Sequence, residues 1–317
     1  MQIEIKELFG RRELKKYVDF LHDLYRGNPY WCPPLRSDEL NTIDPKKNPA
    51  YEYCEARFWI AIKDGKVVGR IASIINSKAN ETWNEKNIRF GWFDFIDDPE
   101  VSALLMQQVQ NWAAEKGLTA IHGPLGFTDM DNEGMLVKGF EEMSTLSAIY
   151  NHEYYMHHME RMGFVKDVDW VMNIIDVPTE VPEKLQKFAD LIAQKYELRV
   201  FVADKPKQLL PYAMDMFRAL NVAFKDLYGF VPLNEEQMKM YIKQYFGFIK
   251  TEYVCFVLDK NDKVVGFGIN LPSLTRAMQK NDGKLFPFGF IHVLKAMKNN
   301  DTIDMYFIGI RPDFQNK

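Results

Sequence analysis

At 317 residues, the chain has material for about two domains of roughly 150 residues each. A hydrophobic content of 47%, with 6 Trp, 15 Tyr and 23 Phe, excludes disorder as the main state. The net charge of −4 lacks the basic excess of a generic nucleic-acid binder, so no nucleic-acid partner is expected. Cys32, Cys54 and Cys255 are scattered without metal-type spacing, which fits a reducing compartment better than a disulfide framework or a zinc site. No apolar run reaches the roughly 18 residues of a membrane span, and the N-terminus has no apolar core of a signal peptide. A cytoplasmic protein is the expectation.

In chain order, residues 11–26 place Leu14, Tyr17, Val18, Leu21 and Leu24 on one helical stripe. Residues 58–75 read as a hairpin around Lys63-Asp64-Gly65-Lys66, because Gly readily takes the positive φ of a tight turn. A third, aromatic-rich strand follows at 90–100. Asp98-Pro99 is an N-cap and first-turn pair for a helix burying Val101, Leu104, Leu105, Val109 and Trp112 and stopping at Gly117. A strand at 118–123, a long polar loop at 124–145, a helix at 151–162 and a closing strand pair at 164–177 complete this part. Pro178 and Pro182 then bracket a polar stretch that marks a domain boundary, with a helix restarting at Pro182-Glu183.

The second half repeats the first. Helical patterns at 206–226 and 234–246 lead to a hairpin at 253–271, in which Lys263-Val264-Val265-Gly266 matches Lys66-Val67-Val68-Gly69. After a loop, a third strand at 303–314 again runs into proline and an acid. A repeat this long is a domain duplication rather than a solenoid. The expected division is 1–177 and 178–317.

The order β-α-α-β-β, followed by a strand ending in Ile308-Gly309-Ile310-Arg311-Pro312-Asp313-Phe314-Gln315-Asn316-Lys317, resembles the GNAT superfamily of acyl-CoA-dependent acyltransferases. Residues 151–164, NHEYYMHHMERMGF, are similar to that family's late helix. The resemblance implies an α/β (α+β) fold of two tandem units, each a mixed, mostly antiparallel sheet flanked by helices. It implies acetyl-CoA or another acyl-CoA as cofactor, with pantetheine pairing along a splayed fourth strand as an extra strand would. Ile308, Gly309, Ile310, Arg311, Gln315, Asn316 and Lys317 are then the expected cofactor contacts, since backbone N–H groups at a glycine turn opening a helix suit pyrophosphate. In the first copy Asp98-Pro99-Glu100 runs directly into a helix, so the glycine loop is missing and no cofactor is expected there. The second copy is expected to be incomplete at its C-terminus, because residues 312–317 only begin the loop.

Acyl transfer to an amine requires a proton acceptor and polarisation of the thioester carbonyl. Asp94 and Asp304, on the two third strands, are candidate catalytic acids or bases; Trp92, Phe93 and Phe95 flank Asp94 and would desolvate it. Tyr155 is a candidate proton donor to the leaving thiolate, a role the family's late helix often supplies. Asp129, Asp131 and Glu133 lie in the long loop and are candidate acceptor-binding residues. The loop fails as a calcium site, since Phe140 stands where an EF-hand needs its twelfth-position Glu, and NHEYYMHH misses zinc-protease spacing by one residue. No metal is expected. The leading expectation is an acyl-CoA-dependent N-acyltransferase acting on a small-molecule or peptide amine, its second unit holding cofactor and its first shaping the acceptor site. A non-catalytic pseudo-acyltransferase and a Fem-like aminoacyl transferase are the alternatives; the start of a pyrophosphate loop and the absence of basic charge count against the latter.

Overall fold

The computed structural model describes residues 2–245, 247 and 249–315, and two β-sheets organise it. The first has the order β1(Glu4–Glu7), β2(Cys54–Lys63), β3(Lys66–Asn76), β4(Asn87–Phe95), β5(Ala120–His122), antiparallel except for the parallel pair β4–β5. Strand alternation sends side chains to both faces, and each face has its own cover. Against one, helix α1(Gly10–Leu24) packs Leu14, Tyr17 and Val18 on Phe58, Ile60, Ala72 and Ile74. Against the other, Val101, Leu105, Val109 and Trp112 meet Ile71, Ile88, Phe93 and Phe95. These come from helix α4(Pro99–Glu115), whose start is capped as expected: the Asp98 carboxylate accepts the Glu100 N–H at 3.0 Å. Two short helices, α2(Arg36–Thr42) and α3(Ser77–Thr82), lie in the connections, and α5(Tyr154–Arg161) closes this part.

The second sheet has the order β6(Arg199–Phe201), β7(Val254–Leu258), β8(Val264–Pro272), β9(Ile303–Ile310), all antiparallel, with helices α6(Glu183–Lys195), α7(Leu210–Ala223) and α8(Glu235–Tyr245). The mixed α/β class and the duplicated order of elements are therefore as expected.

The duplication extends to individual hydrogen bonds. In β2–β3 the register slips between Ala61↔Gly69 and Ile62↔Val67, leaving Val68 bulged. In β7–β8 it slips between Val257↔Gly266 and Leu258↔Val264, leaving Val265 bulged. The Val68 carbonyl accepts the Ile96 N–H at 3.0 Å, and the Val265 carbonyl accepts the Arg311 N–H at 2.9 Å. Gly69 faces Phe95 as Gly266 faces Ile310. The two hairpins occupy equivalent places, each at a bulge in the second valine of Lys-Val-Val-Gly.

Three features differ from the sequence reading. The compact units are residues up to Asp167 together with Ser273–Thr302, and Val168–Pro272 together with Ile303 onward, rather than a single cut near 177. Segment 273–302 carries helices α9(Thr275–Asn281) and α10(Gly289–Lys298). It belongs with the first unit because it buries Leu274, Ala277 and Met278 there and donates from Thr275 Oγ1 to the Ser144 carbonyl (2.8 Å) and from Gln279 Nε2 to the Trp31 carbonyl (3.0 Å). Asp282, in the left-handed region at φ 51°, pairs with both Arg36 (2.5 Å) and His22 (3.0 Å). Finally, 164–177 forms no strand pair: Val165, Val171 and Ile174 are more than 80% or about 80% exposed, so the apolar pattern has no sheet to join.

Candidate functional site

The third strands of the two units differ in what lies beside them. In β4, Trp92 and Phe93 together oppose Ile71, a bulge that puts Trp92 at φ 45°. A left-handed tryptophan is unfavourable and persists only where neighbours hold it. Here its Nε1 donates to Glu39 (2.9 Å) and its ring packs on Phe127 at 5.8 Å. Pairing between β4 and β5 covers only Asn87–Arg89, so the strands part beyond that point.

The opening is filled by the chain itself. Because Ile96 N–H points at β3, alternation turns the Phe95 backbone outward. Its N–H donates to the Tyr155 hydroxyl at 3.2 Å, and its carbonyl accepts the Tyr154 hydroxyl at 2.5 Å. Leu125 N–H takes the Phe90 carbonyl at 2.7 Å, and a Cβ on Gly91 would stand 2.5 Å from the Leu125 carbonyl. The outward backbone groups of Phe95 and the Phe90 carbonyl are thus occupied.

Behind them lies a buried polar network. Asp94 accepts Arg70 Nε at 2.8 Å and the Tyr155 hydroxyl at 3.4 Å; Tyr25 donates to Tyr155 at 3.0 Å. Arg70 Nη1 donates to the Tyr17 carbonyl, and its guanidinium lies 4.9 Å from the Tyr17 ring centre. Burial pushes the Tyr155, Tyr25 and Tyr17 phenols well above their ordinary range, and burial likewise raises the Glu39 carboxyl. Asp94 is therefore a partnered carboxylate rather than one left bare among aromatics, and the Tyr155 hydroxyl is enclosed. The pairing follows from register: Arg70 on β3 faces Asp94 on β4.

The loop after β5 is packed rather than solvated. Leu125 and Phe127 are buried, and Asn76 Nδ2 donates to the Phe127 carbonyl at 2.9 Å. Asp131 accepts the N–H groups of Phe127 (2.8 Å) and Thr128 (3.1 Å), so it shapes the turn; burial raises its pKa to about 7. Glu133 is raised to about 9 by burial and by Asp129, to which it is hydrogen-bonded. Asp129, Asp131 and Glu133 thus sit together as an acidic cluster built into the loop.

In β9 the same alternation applies. Arg311 N–H points at β8, so Gly309 faces β8 and the backbone groups of Ile308 and Ile310 face outward. Among the described residues no strand flanks that edge. The Ile310 carbonyl accepts Gln315 Nε2 at 2.9 Å, and Arg311 is paired with Asp313 through two 3.0 Å hydrogen bonds. Gly309 is required for packing, since a Cβ there would lie 2.4 Å from the Phe267 ring. Asn316 and Lys317 lie outside the described residues. Asp304 is buried at the start of β9 opposite Leu271, the position that Arg89 holds opposite Ile74 in the first unit, while Gly309 stands where Asp94 does. The two candidate aspartates are therefore not structural equivalents. Among the described residues no cluster of metal-ligating side chains occurs, and no helix is long and apolar enough to cross a membrane.

No family model matches the chain. It is 26% identical over 319 residues to Protein YghO of Escherichia coli K12, covering 98% of this chain and 79% of that protein. It is also 26% identical over 316 residues to a bacterial ceramide synthase of Caulobacter vibrioides, covering 96% and 79%. Among solved structures it is similar to a tandem GNAT protein from the clavulanic acid biosynthesis pathway, at 11% identity, TM-score 0.45, and coverage of 98% and 97%.

Proposed function

We propose that the protein is an acyl-CoA-dependent N-acyltransferase whose second unit holds the cofactor along β9 and whose first unit has become a non-binding partner that shapes the acceptor site. One observation carries this reading. At equivalent register positions, Phe95 has both outward backbone groups capped by tyrosine hydroxyls, whereas Ile310, whose carbonyl accepts from Gln315, lies with Ile308 on an edge with no strand beside it among the described residues. An amide-bearing arm such as pantetheine can add to such an edge through backbone hydrogen bonds. A ceramide is an N-acylated amine, so the name of one relative belongs to the same reaction class and supports an amine acceptor.

In this reading, the outward N–H and C=O groups of Ile308 and the outward N–H of Ile310 align the arm, and residues from Arg311 onward approach the pyrophosphate. Acyl-CoA supplies the activated thioester. The test is Ile308→Pro, which removes one outward N–H while leaving the β8–β9 ladder its own bonds. Calorimetric titration with CoA should show binding to the parent protein and loss of at least about tenfold, or about 1.4 kcal/mol, in the variant. Equal affinity in both would reject β9 as the cofactor strand and favour the pseudo-acyltransferase.

A further inference from the structure

Apart from the Arg70–Asp94 network, the first unit has an open depression of about 500 Å³ against the start of α5. Tyr150, His152, Glu153 and Tyr154 contribute to its wall, with Phe140 beside them. The tyrosine hydroxyls are committed elsewhere: Tyr150 donates to the Phe140 carbonyl at 3.0 Å and accepts from Asn28 at 3.2 Å, and Tyr154 caps Phe95. Of the other polar side chains in the wall, Asn151 is bonded to the Leu136 backbone and His157 lies 3.8 Å from Glu160, so aromatic surface, His152 and Glu153 remain for a ligand. The His152 ring is stacked between Tyr25 (centroids 4.7 Å, 19°) and Tyr154 (5.2 Å, 17°), which fixes its plane. Among the described residues neither its nitrogens nor the Glu153 carboxylate has a hydrogen-bond partner. Burial holds the imidazole below its usual range, so at neutral pH it keeps a lone pair.

We propose that this depression is a binding subsite for a primary ammonium group, with His152 accepting an N–H, Glu153 supplying the opposing charge and the Tyr150 and Tyr154 rings lining the cation. The chemistry is one-sided. A carboxylate, electron-rich ring faces and a lone-pair acceptor all favour a cation that can donate. Identifying that ammonium with the acceptor of acyl transfer rests on the function proposed above; the binding itself needs no cofactor.

The experiment is NMR of the histidine side-chain nitrogens during titration with n-butylammonium, with n-butyltrimethylammonium as a cation of equal charge lacking N–H. His152 signals should shift saturably with the primary amine, and the trimethyl cation should bind at least about tenfold more weakly, about 1.4 kcal/mol. His152→Phe, which keeps a stacked ring, should lose binding to the same extent. Glu153→Gln, at an exposed position, should weaken it severalfold and serves if the ring replacement perturbs folding. Absence of a saturable His152 shift, or equal binding of the two cations, would overturn the subsite. CoA is titrated separately: CoA binding without amine binding rejects the subsite alone, and amine binding without CoA binding rejects the transferase reading alone.

Discussion

The Tyr155 hydroxyl lies 3.2 Å from the Phe95 backbone nitrogen and so supplies the hydrogen bond that a neighbouring strand would otherwise give. The same oxygen accepts from Tyr25 and reaches Asp94, all within a site closed to solvent.

Tyr155→Phe is therefore expected to destabilise the protein by about 1–3 kcal/mol, since it leaves the buried Phe95 N–H and Tyr25 hydroxyl without an acceptor. Urea unfolding measures this. A neutral effect would mean that water replaces the phenol.

Arg70 and Asp94 form a buried pair, with side-chain exposures of 2% and 12%. Arg70→Met should cost about 3–5 kcal/mol by stranding the carboxylate, while the double variant Arg70→Met/Asp94→Leu should recover much of that loss. A double-mutant cycle by chemical denaturation checks it; additive losses would show that the two residues do not act as a pair.

His22 is held at a pKa of about 4, chiefly by burial and then by the Arg36 charge, against an ordinary 6.5. Below 6.5 the unfolded chain takes up a proton that the folded protein refuses. The contribution is complete above pH 6.5 and is lost as pH falls toward about 4, a change of roughly 3 kcal/mol. In His22→Gln the stability profile should be flatter across that interval. An unchanged slope would show that His22 protonates in place.

Glu133 has the opposite sign. The folded protein keeps its proton up to about 9, whereas the unfolded chain releases it near 4.5, so stability falls as pH rises between these values. Glu133→Gln removes that penalty and keeps a donor for Asp129. Its Tm should exceed the parent's by a margin that grows with pH over the interval; a constant margin would exclude the linkage.

The sequence by itself determined the local elements and the duplication. Leu14, Tyr17 and Val18 at helical spacing, Asp64-Gly65 at the hairpin turn and Asp98-Pro99 at the start of α4 each encode their structure within a few residues, where local sterics and hydrogen bonding suffice. The repeated Lys-Val-Val-Gly marked both hairpins because the bulge recurs within that short run. Tertiary structure alone decided the rest. The pairing of Arg70 with Asp94 depends on register across two strands, as does the equivalence of Asp94 with Gly309 rather than with Asp304. That Tyr154 and Tyr155 cap Phe95 required α5, sixty positions away, to fold over β4. That segment 273–302 joins the first unit rests on its hydrogen bonds to residues near the N-terminus. Burial and non-local pairing also set the charge states of His22 and Glu133, because a side chain's solvation is a property of what folds around it.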